Sequence, residues 1–191
     1  DNGDSRTELP HTDDTVAAIT ALEQTLATEV PEHGHGRAGE LQKTLQFVID
    51  DARSTKPEPL PVVIFLYGDW SGMPRSEADD FVDQLLEASA VAFGLRDPQS
   101  PHLWWLIGEQ KEVAHYIARE TGGQYFEATP DTYATILEQI LQQLHSRYEL
   151  VFKPEALDGK RHKLLVKLTD SATKRHKGVR LRYRAAYLAV R

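Results

Sequence analysis

Leu60-Pro-Val-Val-Ile-Phe-Leu-Tyr-Gly-Asp-Trp-Ser-Gly72 restricts this chain more than any other stretch. Between Val62 and Gly68, six of seven residues are β-branched or large and apolar, without polar alternation. A strand of that kind is buried on both faces, as in a parallel sheet clad by helices. It breaks into Gly68-Asp-Trp-Ser-Gly72, a polar turn at the strand end where open α/β sheets bind ligands. A site on such a fold would centre on Asp69.

The flanking segments supply the helices. Asp13 or Asp14 is placed to cap a helix whose Val16, Ile19, Leu22 and Leu26 share a face, and Leu41, Leu45, Val48 and Ile49 mark a second. Lys56-Pro-Glu-Pro59 is a rigid connector into the 62–68 strand. Ser76-Glu-Ala-Asp79 matches a capping pattern, and the helix behind it presents Phe81, Val82, Leu85 and Leu86. Residues 88–95 form the next strand, 103–119 a helix closed by Thr121-Gly-Gly, and Tyr125-Phe126 a short strand. The clearest helix spans 131–147, with Tyr133, Ile136, Leu137, Ile140, Leu141 and Leu144 on one stripe. The pattern then changes to three strands at 148–152, 162–168 and 178–187, with Asp158-Gly159 as a turn between the first two. The architecture expected is an α/β domain over 1–147 with a small C-terminal β appendage, 148–191, packed on it.

Bulk properties narrow the chemistry. At 191 residues and 40% apolar content the chain holds one real core. No cysteine is present, which removes disulfides and thiolate catalysis, and no apolar run is long enough to span a membrane. The N-terminus carries no signal-peptide pattern and starts on Asp1. Net charge is −7, yet Lys153 to Arg191 holds twelve Lys or Arg against Glu155, Asp158 and Asp170. Those cations alternate with apolar residues, as Arg180, Arg182 and Arg184 do with Leu181, Tyr183 and Ala185. They are the wet face of strands, and no nucleic acid partner is expected.

Thr121-Gly-Gly-Gln-Tyr-Phe126, the 131–147 helix, Tyr148-Glu-Leu-Val-Phe152, Pro154, Asp158-Gly-Lys160 and Arg184-Ala-Ala-Tyr187 occur in a characteristic order. In that order the chain resembles the von Willebrand factor type A (VWA) domain, most of all its bacterial "VWFA-related" branch. The resemblance implies a Rossmann-like three-layer αβα sandwich, an exported location and a protein partner. It also implies that the sequence enters the domain about a third of the way in, since the family's first strand, ending in Asp-x-Ser-x-Ser, has no counterpart here. That strand would lie beside 62–68, so an upstream segment or a second chain is expected to cover that edge.

The family's metal-ion-dependent adhesion site is degenerate by the same comparison. Gly39 stands where a Thr is expected, and Asp69 is displaced by one residue from the acid that follows the central strand. A shift of one residue at a strand end turns the side chain to the other face. Asp69 and Ser71 are what remains to hold Mg²⁺ or another divalent cation, which prefers oxygen ligands; without one, Asp69 caps the turn. His33 and His35 lie in a glycine-rich loop with no further ligand nearby in sequence. Trp70, Trp104 and Trp105 are the candidate partner contacts, because tryptophan is favoured at binding hot spots.

Two functions follow. The first is a non-enzymatic protein-binding or adhesion module presenting the loops at 33–39, 69–75 and 96–102. The second is a hydrolase of Rossmann-like fold using Asp69 with His102 or His115. No P-loop, Gly-x-Gly-x-x-Gly or nucleophile elbow accompanies the second.

Overall fold

The computed structural model describes residues 60–66, 75–96 and 107–189, together with Asp14 and a few helical positions between Val16 and Asp50. Asp14 makes a cap: its carboxylate accepts from the backbone N–H of Val16 and Ala17 at 2.9 and 3.1 Å, while Asp13 lies outside the described residues. Val16, expected on the packed face, is exposed in that first turn. Gln46, Phe47 and Asp50 are helical, as the second expected helix requires.

The centre is a parallel three-stranded sheet, ordered β1-β2-β3, with β1 at Val62–Leu66, β2 at Val91–Arg96 and β3 at Tyr125–Glu127. Helix α1 (Arg75–Glu87) joins β1 to β2, α2 (Ile107–Thr121) joins β2 to β3, and α3 (Tyr133–His145) follows a 3₁₀ turn at Pro130–Thr132. The chain is thus a mixed α/β protein.

Strand alternation sorts the core into two halves. Val91, Phe93 and Leu95 of β2, with Val62 and Ile64 of β1, pack against Ile136, Ile140 and Tyr133 on the α3 side. Ala92 of β2 and Val63 of β1 face the other way, where Phe81, Val82 and Leu85 of α1 meet Tyr116 and Ile117 of α2. Helices therefore cover both faces. The fully buried strand is β2, from Val91 to Leu95, whereas Val62, Val63 and Ile64 of β1 are half-buried. Among the described residues β1 pairs only with β2, so it forms one side of the sheet.

Two joints hold the layers in register. Ala88 and Ser89 are expected in β2 but form a turn: Ser89 takes φ 56°, its N–H donating to Leu86 O and that of Ala90 to Leu85 O. This is a left-handed helix ending made without glycine. The second joint, Thr121-Gly122-Gly123, closes α2 as expected. Gly122 N–H donates to Arg119 O at 3.2 Å and Gly123 N–H to Ala118 O at 2.8 Å, with Gly122 at φ +83°. Gly123 is required by proximity: a Cβ there would stand 1.9 Å from the carbonyl oxygen of Ala92.

The C-terminal segment differs from the expected three strands. Only Arg161–Lys163 (β4) and Ala186–Leu188 (β5) pair, antiparallel, with Arg161 opposite Leu188. Tyr148–Phe152 lies in no ladder, nor do 164–168 and 179–184. Asp158-Gly159 is a turn as expected, with Gly159 at φ +70°, but it leads into β4 rather than joining two paired strands. A short helix unforeseen in the sequence, α4 (Asp170–Arg175), is capped by Thr169, whose hydroxyl accepts from Ala172 N–H at 3.3 Å. Asp170 in its first turn and Lys174 and Arg175 in its last suit the helix dipole. Ala186 of β5 is buried in the α1–α2 half of the core, with Leu188 packed beside it.

Candidate functional site

The sequence-derived candidates Asp69, Trp70, Ser71, Trp104 and Trp105 lie outside the described residues, as do His33, His35, Gly39 and His102. Of the two histidines offered for the hydrolase, His115 is described. It is an exposed residue of α2 whose ring tilts against Tyr125 at 4.3 Å between centroids. Among the described residues no three His, Asp or Glu gather as a metal ion would need, and no helix is long and apolar enough to cross a membrane.

A cleft of about 910 Å³ opens between the outer side of α2, the α2–β3 joint and the C-terminal segment. Its origin follows from the elements already described. The left-handed ending at Gly122 turns the chain sharply into β3, and the backbone of Tyr183 and Arg184 passes so close that a Cβ on Gly122 would stand 3.0 Å from Arg184 N. Leu164, Leu181, Tyr183 and Ala185 form one wall, and Tyr116, Ala118 and Tyr125 help form the other. Arg75, Arg119 and Arg182 add three cations, with His115 beside them. No Asp or Glu occurs among the described lining residues.

The cations are held differently. The Arg75 guanidinium stacks 3.3 Å above the Tyr116 ring, with its Nε a loose 3.7 Å from Asp79. Arg119 lies 5.8 Å from the same ring and pairs with Glu120 at 2.8 Å. Arg182 is exposed, and no carboxylate pairs with it among the described residues. Arg184, its neighbour, leaves the expected wet face: it is half-buried and donates to the carbonyl of Ser89. Burial, reinforced by the charge of Arg147, pushes its pKa down.

Behind the cleft a polar clip ties the C-terminal segment to the helices. Arg161 of β4 donates through Nε to Asp83 at 2.7 Å, through Nη1 to Asp79 at 3.2 Å and Tyr116 at 2.5 Å, and through Nη2 to the Asp79 carbonyl at 2.6 Å. The Tyr116 hydroxyl donates to Asp79. That bond, with Arg161 beyond it, holds the Asp79 carboxyl below its ordinary range against the opposing effect of burial. Burial first, then the Asp79 bond, raises the Tyr116 phenol. Burial works against the charge on Arg161, but Asp83 and its other partners outweigh it and raise its pKa. Tyr116 therefore carries Arg75 on its ring and the clip on its hydroxyl.

Sequence reasoning did not single out Arg75, Tyr116, Arg119 or Arg182. The alternation of arginines over 180–184 was visible, but as the solvated face of a strand. The chain matches no family model and no curated protein.

Proposed function

We propose that the chain is a protein-binding module of VWA-like, Rossmann-like αβα architecture rather than an enzyme. The observation that carries this reading is the run after α3. Tyr148, Leu150, Val151 and Phe152 stand in unladdered chain, with Tyr148 92% and Val151 88% exposed. Exposed apolar side chains on a backbone outside any ladder suit recognition by another polypeptide, through strand addition with side-chain pockets. Parallel pairing of β1, β2 and β3 in sequence order, helices on both faces, and the glycine-closed α2 support the VWA-like part. Among the described residues β1 pairs on one side only, which supports the expectation that an upstream segment or a second chain covers its other edge. Export, and a weak divalent-cation site at Asp69 and Ser71, belong to the same proposal through the family resemblance alone.

A photo-crosslinking amino acid at position 151 tests it, irradiated in extracts of the source cells and of their envelope and secreted fractions. A discrete crosslinked polypeptide is expected from position 151 and not from Lys177, an exposed residue of the turn after α4. Identical patterns from both positions, or none from 151, would overturn the reading.

A further inference from the structure

We infer that the cleft between α2 and the C-terminal segment is a docking site for an acidic polypeptide segment in which Asp or Glu alternates with bulky apolar residues. The inference rests on the protein-binding reading but uses a different surface from Tyr148–Phe152. Charge is the first ground. Residues 1–147 carry ten Lys or Arg against twenty-five Asp or Glu, yet Arg75 and Arg119 of that acidic stretch converge with Arg182 on one concavity. Arg119 is already paired with Glu120 and Arg75 has only a loose contact with Asp79, so a bound carboxylate gains most from Arg182 and from Arg75.

Preorganisation is the second ground. Arg75 is stacked on the Tyr116 ring at 3.3 Å and contacts an acid only loosely, at 3.7 Å. Its nearest carboxylate, Asp79, is already engaged by the Tyr116 hydroxyl and Arg161. A stacked guanidinium whose edge carries only a loose 3.7 Å contact to an acid engaged elsewhere can donate to a second carboxylate. Because Tyr116 is 6% exposed and fixed at its far end by the clip, the platform beneath Arg75 is rigid.

Shape is the third ground. The volume of about 910 Å³ is at the upper end of the usual 300–1,000 Å³ for ligand sites. Its apolar wall of Leu164, Leu181 and Ala185 gives alternate side chains of an extended peptide somewhere to bury. Leu181–Arg184, along the same wall, belongs to no ladder. A bound strand would face backbone groups there, apolar side chains inward and carboxylates toward Arg75, Arg119 and Arg182.

The test is fluorescence anisotropy on the whole chain at low ionic strength, using a fluorescein-labelled peptide of alternating Glu and Leu. A Gln-Leu peptide of the same length and inorganic phosphate serve as the other probes. Saturable binding to the Glu-Leu peptide is expected, falling about tenfold or more in the pair R75E and R182E. K174E, an equal charge change on α4, should leave binding within about twofold. Circular dichroism on each variant checks folding, and R182E alone, at an exposed position, provides a second reading if R75E unfolds the protein. Equal binding to the Gln-Leu peptide, insensitivity to both Arg substitutions, or competition by phosphate as effective as by unlabelled peptide would overturn the inference. Those outcomes leave the crosslinking from position 151 untouched, so the two readings fail separately.

Discussion

Replacing Thr121 by valine removes one hydroxyl from the core and leaves the shape of the side chain unchanged. Thr121 is fully buried. Its Oγ1 accepts from Ala92 N–H at 3.0 Å and donates to Ile117 O at 2.9 Å. Alternate amides of a strand point the same way, so Ala92 N–H points toward β3, as does Gly94 N–H, which donates to Gln124 O. β3 begins at Tyr125 and is too short to reach Ala92. The threonine therefore stands in for a missing strand residue. Thr121→Val orphans a buried amide, a loss of about 1–3 kcal/mol. Thr121→Ser keeps the hydroxyl and removes one buried methyl, about 0.8 kcal/mol. Helix propensity separates the three residues little, so the ordering reports the hydrogen bond. Urea unfolding followed by far-UV circular dichroism measures both. A valine variant no less stable than the serine variant would refute the reasoning.

Gly123→Ala drives a Cβ into the Ala92 carbonyl and should cost about 3 kcal/mol or more, read by the same unfolding curves. Gly159→Ala, where a Cβ meets nothing but φ is +70°, should cost only about 1 kcal/mol. Ser89→Gly relieves a left-handed serine at the end of α1 and should raise stability by about 0.5 kcal/mol, seen as a small rise in Tm. Arg161→Ala opens the clip at a cost of about 1–2 kcal/mol, kept modest because Asp79 and Asp83 are 44% and 40% exposed and water screens them. The lowered Asp79 pKa makes its stabilisation complete above the ordinary carboxylate range and lost as pH falls through the folded value, so Asp79→Asn should flatten the acid limb of a stability–pH curve. The raised Tyr116 pKa acts at the other end. Its stabilisation is complete below about 10 and lost as pH rises through the folded value, and Tyr116→Phe should flatten the alkaline limb.

What could be read ahead of the structure were features that depend on neighbours in the chain. The unbroken apolar run at 62–66, the stripe from Tyr133 to Leu144 and the glycine stop after Thr121 each declare themselves locally, and each is found. Relations between distant segments were hidden. The stretch 162–168 has strand periodicity, but pairing needs a partner, and only its first residues meet β5. Helix α4 is one turn and a half long, too short for a periodic signal, and it depends on the Thr169 cap and favourable end charges. The cleft was the least visible of all. Arg75, Arg119 and Arg182 are scattered over more than half the chain, and their convergence depends on where the C-terminal segment lies against α2.

The clip has a consequence for biosynthesis. Arg161 bridges to residues 78 and 82 positions earlier, so the two aspartates on α1 emerge from the ribosome well before the arginine that neutralises them. Until then the α1–α2 layer lacks Ala186 and Leu188 and exposes apolar surface that β5 later seals. A nascent chain halted before β4 would display that uncovered flank to chaperones, and the segment from β4 through β5 would act as the latch that ends its vulnerability.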